Sequence, residues 1–203
     1  YNKALVMHLR TNPWDSWFAR QQANCIAEIM DQLVFITENE RKTWSNFSGR
    51  PLDGRVIYNI AGTNFSKNTQ DRSVPNIERD PRYTIACISN YSYLRGVDRV
   101  IELAAEIKKQ GGINKVRFVF CGNMSMTRSE AKMLGIDWST ETNLTTYADL
   151  LDVSEICVFV GHVSAPEKVL ANVDALIKPT REANPWGRDI LEGLAAGLPV
   201  FST

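Results

Sequence analysis

Short apolar runs alternate with amphipathic stretches along the whole chain. The runs that predict strands are Ala4–Leu9, Leu33–Ile36, Val56–Tyr58, Tyr83–Ile88, Val116–Cys121, Ile156–Val160, Ala175–Lys178 and Val200–Ser202. Most are continuously apolar, which is typical of strands that are covered on both faces. The repeated order of strand, loop and helix predicts an α/β fold built on parallel sheets.

Helical periodicity appears between these runs. One helix has apolar residues at Val97, Val100, Ile101, Ala104 and Ile107. Its charged residues, Asp98 first among them, fall on the other side, so we expect a surface helix with Asp98 in water. Thr37 and Glu40 have the spacing of a capping box and predict another helix start. A third helix is predicted to end at Gly197, because Pro199 follows.

Residues 61–81 break this rhythm. They are rich in Asn, Ser, Asp, Arg and Pro and show no periodicity. About 20 residues without regular structure are unusual inside a compact domain, so we interpret the segment as an inter-domain connection. Residues 1–60 then belong to one domain and residues 82–203 to a second, five-stranded one. Apolar runs lie close to both ends of the chain, and we therefore expect a fragment truncated at both ends.

Composition excludes several kinds of partner. Lys plus Arg (23) equals Asp plus Glu (23), so no net charge attracts a nucleic acid or an anionic membrane. No apolar run approaches the roughly 20 residues of a transmembrane helix, and no signal peptide is evident. The cysteines are widely spaced and read as reduced thiols. We expect a cytoplasmic protein, with the cytoplasmic face of a membrane as the alternative location.

The stretch after the strand Ala175–Lys178 offers chemistry. It reads PTREANPWGRDILEGLAAGLPVFST, and a strand that runs into a helix N-terminus presents free N–H groups suited to phosphate. Asn184, Arg188 and Glu192 follow at helical steps and share one face. Arg188 could neutralise a diphosphate and Glu192 could bind ribose hydroxyls. Spacing alone favours the alternative interpretation, an Arg188–Glu192 salt bridge on a solvated helix face.

The same stretch resembles the signature of retaining glycosyltransferase family 4, the glycosyl transferases group 1. Glu192 matches the second of two spaced Glu residues, Trp186-Gly187 the aromatic-Gly pair and Ala195–Val200 the closing Gly-x-Pro-Val element. Asn184 stands where the first Glu is expected. The resemblance implies that the donor is bound by residues of this stretch, namely Asn184, Pro185, Trp186, Gly187, Arg188 and Glu192.

Further matches follow in the family's order. ISNYSYLRGVDRVIELA resembles the segment with a basic pair before Gly-Val-Asp. Arg95 matches the second basic residue, a diphosphate ligand in the family, and Asn90 replaces the first. We hypothesise that Arg188 compensates for the missing charge. VFVGHVSAPEKVLANVDALIKPT resembles the nucleobase-pocket segment, which implies base contacts by Gly161, His162 and Val163 through backbone groups.

The N-terminal part carries the resemblance as well. VIYNIAG is similar to the family's segment before the inter-domain linker. In relatives a His at the end of the strand equivalent to Ala4–Leu9 faces the transferred sugar, which makes His8 the candidate catalytic residue. A solvent-facing or core histidine is the alternative. The implied fold is GT-B: a Rossmann-like parallel sheet flanked by helices, with part of a second Rossmann-like domain.

The implied activity is that of a hexosyltransferase-type glycosyltransferase. It would move a sugar from a nucleotide-diphosphate sugar to a saccharide or lipid-linked acceptor hydroxyl with retention, in polysaccharide or glycoconjugate biosynthesis. We expect no cofactor and no metal, because no Asp-x-Asp pair is present. Peripheral membrane association through a missing part is compatible with this reading.

Three alternatives stay open. One is a nucleotide-sugar 2-epimerase of similar build, and the second is a fragment that binds a nucleotide sugar without turnover. The third is an unrelated nucleotide-binding α/β protein, such as a receiver or flavodoxin-like domain. That class does not explain an ordered series of matches across both halves of the chain.

Overall fold

A computed structural model describes residues 3–10, 13, 20–65, 77–78, 80–139, 141–181 and 187–203. Within these ranges the chain forms eight strands and seven α-helices. The chain divides into two compact units. The first comprises residues 1–60 and 183–188, and the second comprises residues 61–182 and 189–203.

The first unit is built on a parallel sheet with the strand order β1-β2-β3. Its strands are β1 (Val6–Leu9), β2 (Gln32–Phe35) and β3 (Arg55–Val56). Its helices are α1 (Arg20–Ile29) and α2 (Glu38–Ser48), which follow β1 and β2 along the chain. Its core contains Leu9, Ala23, Leu33, Phe35, Trp44 and Leu52. Parallel strands that alternate with helices give this unit its Rossmann-like character.

The start of α2 differs in one detail from the predicted capping box. Thr37 Oγ1 accepts the N–H of Glu40 at 3.0 Å, as expected for an N-cap. The Glu40 carboxylate accepts the N–H of Ile36 at 2.7 Å, one residue before the N-cap. The Glu40 side chain is fully buried, and this burial raises its pKa.

The second unit contains the five strands predicted for it, all paired in parallel. They are β4 (Tyr83–Ile88), β5 (Val116–Cys121), β6 (Cys157–Gly161), β7 (Ala175–Lys178) and β8 (Val200–Ser202). The helices are α3 (Asp98–Lys109), α4 (Arg128–Met133), α5 (Leu144–Leu150), α6 (Pro166–Leu170) and α7 (Arg188–Ala195). The strand order is β6-β5-β4-β7-β8. Strands β5 and β6 lie on one side of β4, and β7 and β8 lie on the other, so the order in which strands are added reverses between β4 and β7.

Both faces of the second sheet are covered, which explains its apolar strands. Along β5, Phe118 and Phe120 pack in a core cluster that includes Val100 and Ile101 of α3. Between them, Val119 packs in a second cluster. The members that complete this second cluster are Ala86, Cys121, Val169, Leu170, Val173, Leu176 and Ala196. Consecutive side chains of a strand point to opposite faces, so a strand covered on both faces is apolar along most of its length.

The structure corrects one prediction about α3. Its apolar residues are buried as expected, but Asp98 is 0% exposed and does not lie in water. The predicted end of α7 is confirmed, because α7 ends at Ala195 and Gly197 has a φ of +71°. The linker assigned to residues 61–81 stays a prediction, since most of that segment lies outside the described residues. Its described residue Phe65 packs against the second core cluster of this unit.

Candidate functional site

Loops with predicted donor-binding residues lie at the carboxyl edge of the second sheet. Because all five strands run in parallel, the loops after β4, β5, β6 and β7 leave the sheet at the same edge. The strand order reverses between β4 and β7. Open α/β sheets bind ligands outside the carboxyl ends of their strands, at such a reversal of strand order.

The loops after β4 and β5 are joined by a short ladder. Ser89 N–H donates to Cys121 O at 2.9 Å, and Tyr91 N–H donates to Asn123 O at 2.7 Å. Between these bonds, Asn90 Oδ1 accepts the N–H of Asn123 at 2.8 Å. The Asn90 side chain therefore holds two loops together, a role that the sequence did not indicate. Its predicted contact with the donor stays a prediction.

Two glycines shape the loops after β5 and β6. Gly122 has a φ of +140°, and a Cβ there would lie 2.4 Å from Ser89 O, so only glycine fits. Its N–H donates to Gly161 O at 2.7 Å. Gly161 has a φ of +80°, and a Cβ there would meet no atom within 4 Å. The space in front of Gly161 is therefore open.

That space belongs to an open cavity of about 500 Å³. It is lined by Gly122, Asn123, Met124, Ser125, Asn143, Thr145, Phe159, Val160, Gly161 and His162. The structure thus brings Gly161 and His162 to one cavity, whereas the Val163 side chain packs against the second core cluster. Sequence reasoning missed Asn143, whose side chain caps α5 by accepting the N–H of Thr145 at 2.7 Å. An Asn before a helical run is the signal that could have found it.

Arg95 ends a 3-10 turn that follows β4. The turn spans Tyr93–Arg95, and Ser92 Oγ accepts the N–H of Arg95 at 3.3 Å. The Arg95 side chain is exposed, and it forms no ion pair with another described residue. An exposed, unpaired guanidinium beside the crevice is suited to an anionic ligand.

The turn contacts the loop after β7 closely. The Arg181 guanidinium donates to Tyr93 O at 2.7 Å and to the two Asp98 carboxylate oxygens at 2.8 and 2.5 Å. It also lies over the Tyr93 ring, 4.0 Å from the ring centroid. A Cβ on Gly96 would stand 2.0 Å from Pro179 O. Asp98 and Arg181 were both missed as partners, because no local pattern joins residues so far apart in the chain.

A second ion pair anchors α7. Lys178 Nζ lies 2.8 Å from Asp189 Oδ1 and 3.1 Å from Oδ2, and both side chains are largely buried. Gly193 of the same helix packs on β7, since a Cβ there would lie 2.8 Å from Leu176 Cδ2. The helix start is thereby fixed at the end of β7.

The predicted donor residues of the last stretch are only partly described. Arg188 is exposed at the first position of α7, and Glu192 is partly buried one turn further along. Gly187 precedes the helix and is partly buried. The predictions for Asn184, Pro185 and Trp186 lie outside the described residues. The contacts that all these residues make with a donor stay predictions.

His8, the predicted catalytic residue, lies in the first unit. It is exposed on β1, where it pairs in register with Val34 of β2. The alternative of a core histidine is therefore wrong, and the solvent-facing alternative agrees with its exposure. Its catalytic role stays a prediction.

The family follows from a sequence comparison. The model described as glycosyl transferases group 1 matches residues 68–203, which is more than half of the chain and includes every strand of the second sheet. The chain belongs to the glycosyl transferases group 1 family. Comparison with curated proteins gives no match.

Solved structures support the fold of this family member. Anabaena HepE in complex with UDP-glucose is 18% identical, with a TM-score of 0.72 over 98% of this chain and 53% of HepE. S. aureus TarM in a complex that includes UDP is 15% identical, with a TM-score of 0.67 over 98% of this chain and 36% of TarM. A Rickettsia africae glycosyltransferase is 13% identical, with a TM-score of 0.70 over 97% of this chain and 50% of the Rickettsia chain.

At these identities the likeness establishes the fold alone. The predicted GT-B fold, with Rossmann-like parallel sheets flanked by helices, is confirmed. The chain spans about half the length of HepE, at 53%. Among the described helices, none combines the length and the apolar character that a bilayer crossing requires.

Proposed function

We propose that the chain is the nucleotide-sugar-binding part of a glycosyltransferase. The protein would transfer a hexose from a nucleotide-diphosphate sugar to a saccharide or lipid-linked acceptor hydroxyl with retention, in polysaccharide or glycoconjugate biosynthesis. A cytoplasmic location belongs to the same proposal. The observation that carries it is the open cavity at Gly161, which lies at the carboxyl edge of a sheet within the family's matched region.

The chemistry of this edge suits a nucleoside diphosphate. The cavity is lined by Phe159 and by polar residues such as Ser125 and Asn143, and such a mixed apolar and polar lining suits a flat, polar base. Arg95 lies on the loop after β4 with an exposed charge, and the departing diphosphate of a glycosyl transfer needs such a charge held in place. HepE and TarM support this assignment as structures that contain UDP-glucose and UDP.

Nucleotide binding is tested by thermal shift. The chain is screened against UDP, GDP, ADP and dTDP and their sugars at concentrations well above the dissociation constant. A ligand at 100 times its dissociation constant stabilises a protein by about 2.7 kcal/mol, which is about 5–10 °C for a chain of this size. We expect stabilisation by one nucleoside diphosphate, and the absence of any shift with all of them would refute the proposal.

A matched pair of glycine variants locates the site. Gly161→Ala and Gly135→Ala both place an alanine at positive φ, +80° and +70°, with no neighbour within 4 Å in the protein. The backbone strain is therefore similar in the two variants. Only Gly161 lies on the cavity, so we expect Gly161→Ala to weaken nucleotide binding and Gly135→Ala to leave it unchanged. Equal affinities in the two variants would place the nucleotide elsewhere.

Turnover is tested on the full-length protein. Incubation with the donor alone separates a transferase from a 2-epimerase, because an epimerase alters the donor sugar without an acceptor. The anomeric configuration of the product, read by NMR, tests retention. Activity that survives EDTA would support a metal-independent reaction, and loss of activity that Mg²⁺ restores would contradict it. If the full-length protein transfers sugar while this chain only binds the nucleotide sugar, the chain is a non-catalytic fragment.

His8 is the catalytic residue of this proposal. It is exposed on β1, so substitution removes no buried contact. His8→Ala in the full-length protein should lower kcat and leave the nucleotide dissociation constant unchanged, because the nucleotide cavity lies in the other unit. An unchanged kcat would remove His8 from the mechanism.

A further inference from the structure

At the reversal of strand order between β4 and β7, the Arg181 side chain links the loop after β7 to the segment that follows β4. Arg181, on the loop after β7, donates its backbone N–H to Leu94 O at 2.8 Å and its guanidinium to Tyr93 O at 2.7 Å. The same guanidinium binds both carboxylate oxygens of Asp98, at the start of α3. We call these four residues, Tyr93, Leu94, Asp98 and Arg181, the Arg181 clamp.

The clamp is held by the burial of Asp98. Asp98 is 0% exposed, and a buried carboxylate is tolerated only with a partner that neutralises and hydrogen-bonds it. The planar guanidinium supplies two parallel N–H bonds to it, which fixes orientation as well as charge. Removal of Arg181 would leave a buried charge unpaired, so the two loops are strongly constrained to stay together.

Further contacts restrict the same two loops. Arg99 Nη1 donates to Thr180 O at 3.3 Å and lies 3.5 Å from Pro179 O. Gly96 approaches the same Pro179 carbonyl so closely that no side chain fits between them. The backbone on both sides of Arg95 is therefore fixed against the end of β7.

Arg181 and Arg95 differ in what their guanidinium groups contact. Arg181 uses its guanidinium within the protein, on a carbonyl and a carboxylate. Arg95 directly follows the two residues whose carbonyls Arg181 holds, and its own side chain is exposed. A flexible side chain loses less freedom on binding when its backbone is already immobile.

We propose that the Arg181 clamp is a positioning device that holds Arg95 where the diphosphate of the donor binds. Arg181 and Asp98 are then positioning residues that do not touch the ligand. This inference rests on the proposed function, because it assigns a role within the same nucleotide site. Its consequence is specific: loss of the clamp weakens binding of the phosphates and spares binding of the base and ribose.

The test is a double-mutant cycle measured by isothermal titration calorimetry on the 203-residue chain. The variants are Arg181→Gln, Arg95→Gln and the double variant. The probes are UDP and uridine, or GDP and guanosine if the thermal screen selects guanine. We expect Arg181→Gln to weaken nucleoside diphosphate binding about five- to tenfold and to leave nucleoside binding unchanged. In the Arg95→Gln background the same substitution should have no further effect, because coupled residues are not additive.

Two further variants guard against a merely structural explanation. Arg181→Lys keeps the charge beside Asp98 but lacks the forked geometry, so we expect an intermediate loss of affinity in a chain that still folds. Arg82→Gln breaks the Arg82–Asp80 ion pair, which precedes β4 at the opposite edge of the sheet. The Arg82 side chain is buried about as much as that of Arg181, at 24% and 21% exposure. Arg82→Gln should lower stability and leave nucleotide affinity unchanged.

The outcomes separate this inference from the proposed function. If the wild-type chain binds no nucleotide, both the proposed function and the clamp inference are overturned. Wild-type binding with unchanged affinity in Arg181→Gln and Arg181→Lys overturns the clamp alone. Additive losses in the double variant, or equal losses for nucleoside and nucleoside diphosphate, also overturn it, because they show a general disturbance of the site.

Discussion

The contact between Gly96 and Pro179 allows a sharp test of how the two loops at the strand reversal are joined. Gly96 has a φ of +67°, and a Cβ there would lie 2.0 Å from Pro179 O and 3.0 Å from Pro179 C. Non-bonded carbon atoms normally stay about 3.5 Å or more from their neighbours, so Gly96→Ala must push the loop after β7 by about 1 Å or more. Arg181 N–H and Leu94 O, which bond at 2.8 Å, lie on those same loops.

Two penalties add up in Gly96→Ala. An L-residue in the left-handed region costs about 1–2 kcal/mol, and forced overpacking adds about 1–3 kcal/mol. Gly135 provides the control, because its φ is +70° and a Cβ there would meet nothing within 4 Å. Gly135→Ala therefore carries the first penalty alone. We expect a total loss of about 2–5 kcal/mol for Gly96→Ala and about 1–2 kcal/mol for Gly135→Ala.

The measurement is urea unfolding followed by circular dichroism, combined with nucleotide titration of the folded variants. Gly96→Ala should shift the unfolding midpoint further than Gly135→Ala and should weaken nucleoside diphosphate binding. Gly135→Ala should leave that binding unchanged. Equal losses of stability in the two variants would show that the close approach to Pro179 is absent in solution, and the reasoning about the two loops would then be wrong.

Three other predictions concern ionisable side chains in different environments. The hydrogen bond from Arg82 holds the pKa of Asp80 well below its ordinary value of 3.8. This stabilisation is present above pH 3.8 and is lost as the pH falls through the lowered pKa. Asp80→Asn should therefore lose about 1.5–3 kcal/mol at pH 7, with unfolding curves that approach those of wild type toward pH 2. Burial raises the pKa of Glu40, so the carboxylate is increasingly unfavourable as the pH rises above 4.5. Relative to wild type, Glu40→Gln should gain stability as the pH rises above 4.5 and through the raised pKa, and a difference that does not change with pH would contradict this. Cys25 is exposed whereas Cys87 is buried, and burial raises the pKa of the Cys87 thiol. A thiol reagent should label Cys25 in the native chain and Cys87 only after unfolding, as read by mass spectrometry.

Apolar runs were sufficient to predict the second sheet. The bounds of β4, β5, β7 and β8 agree with the runs. Residues of β4, β5 and β7 are buried in the two core clusters, which explains why these strands are apolar. The first sheet was predicted less well. The structure has β3 as Arg55–Val56, although the apolar run continues through Ile57 and Tyr58. Those two side chains are exposed, so hydrophobicity alone did not locate the end of the strand.

The ion pairs at the carboxyl edge could not be predicted from the sequence. Helical periodicity placed Asp98 in water because charged residues are rarely buried without a partner. Its partner Arg181 lies far along the chain, on the loop after another strand. The Lys178–Asp189 pair likewise joins the end of a strand to the start of a helix. Asp98 and Arg181 meet only because β4 and β7 are neighbouring parallel strands. That pairing is a property of the tertiary structure.

These pairs also define where the free charge of the crevice lies. Arg181 is neutralised by Asp98 and Lys178 by Asp189, so each pair contributes little net charge to an anionic ligand. The Asn90 side chain is neutral and its oxygen is bound to the loop after β5. Arg95 is therefore the exposed cation that the described part of the loop after β4 presents. The part of the site on the loop after β4 depends on this cation, and therefore also on what holds it in place. The buried carboxylate of Asp98 does so through Arg181.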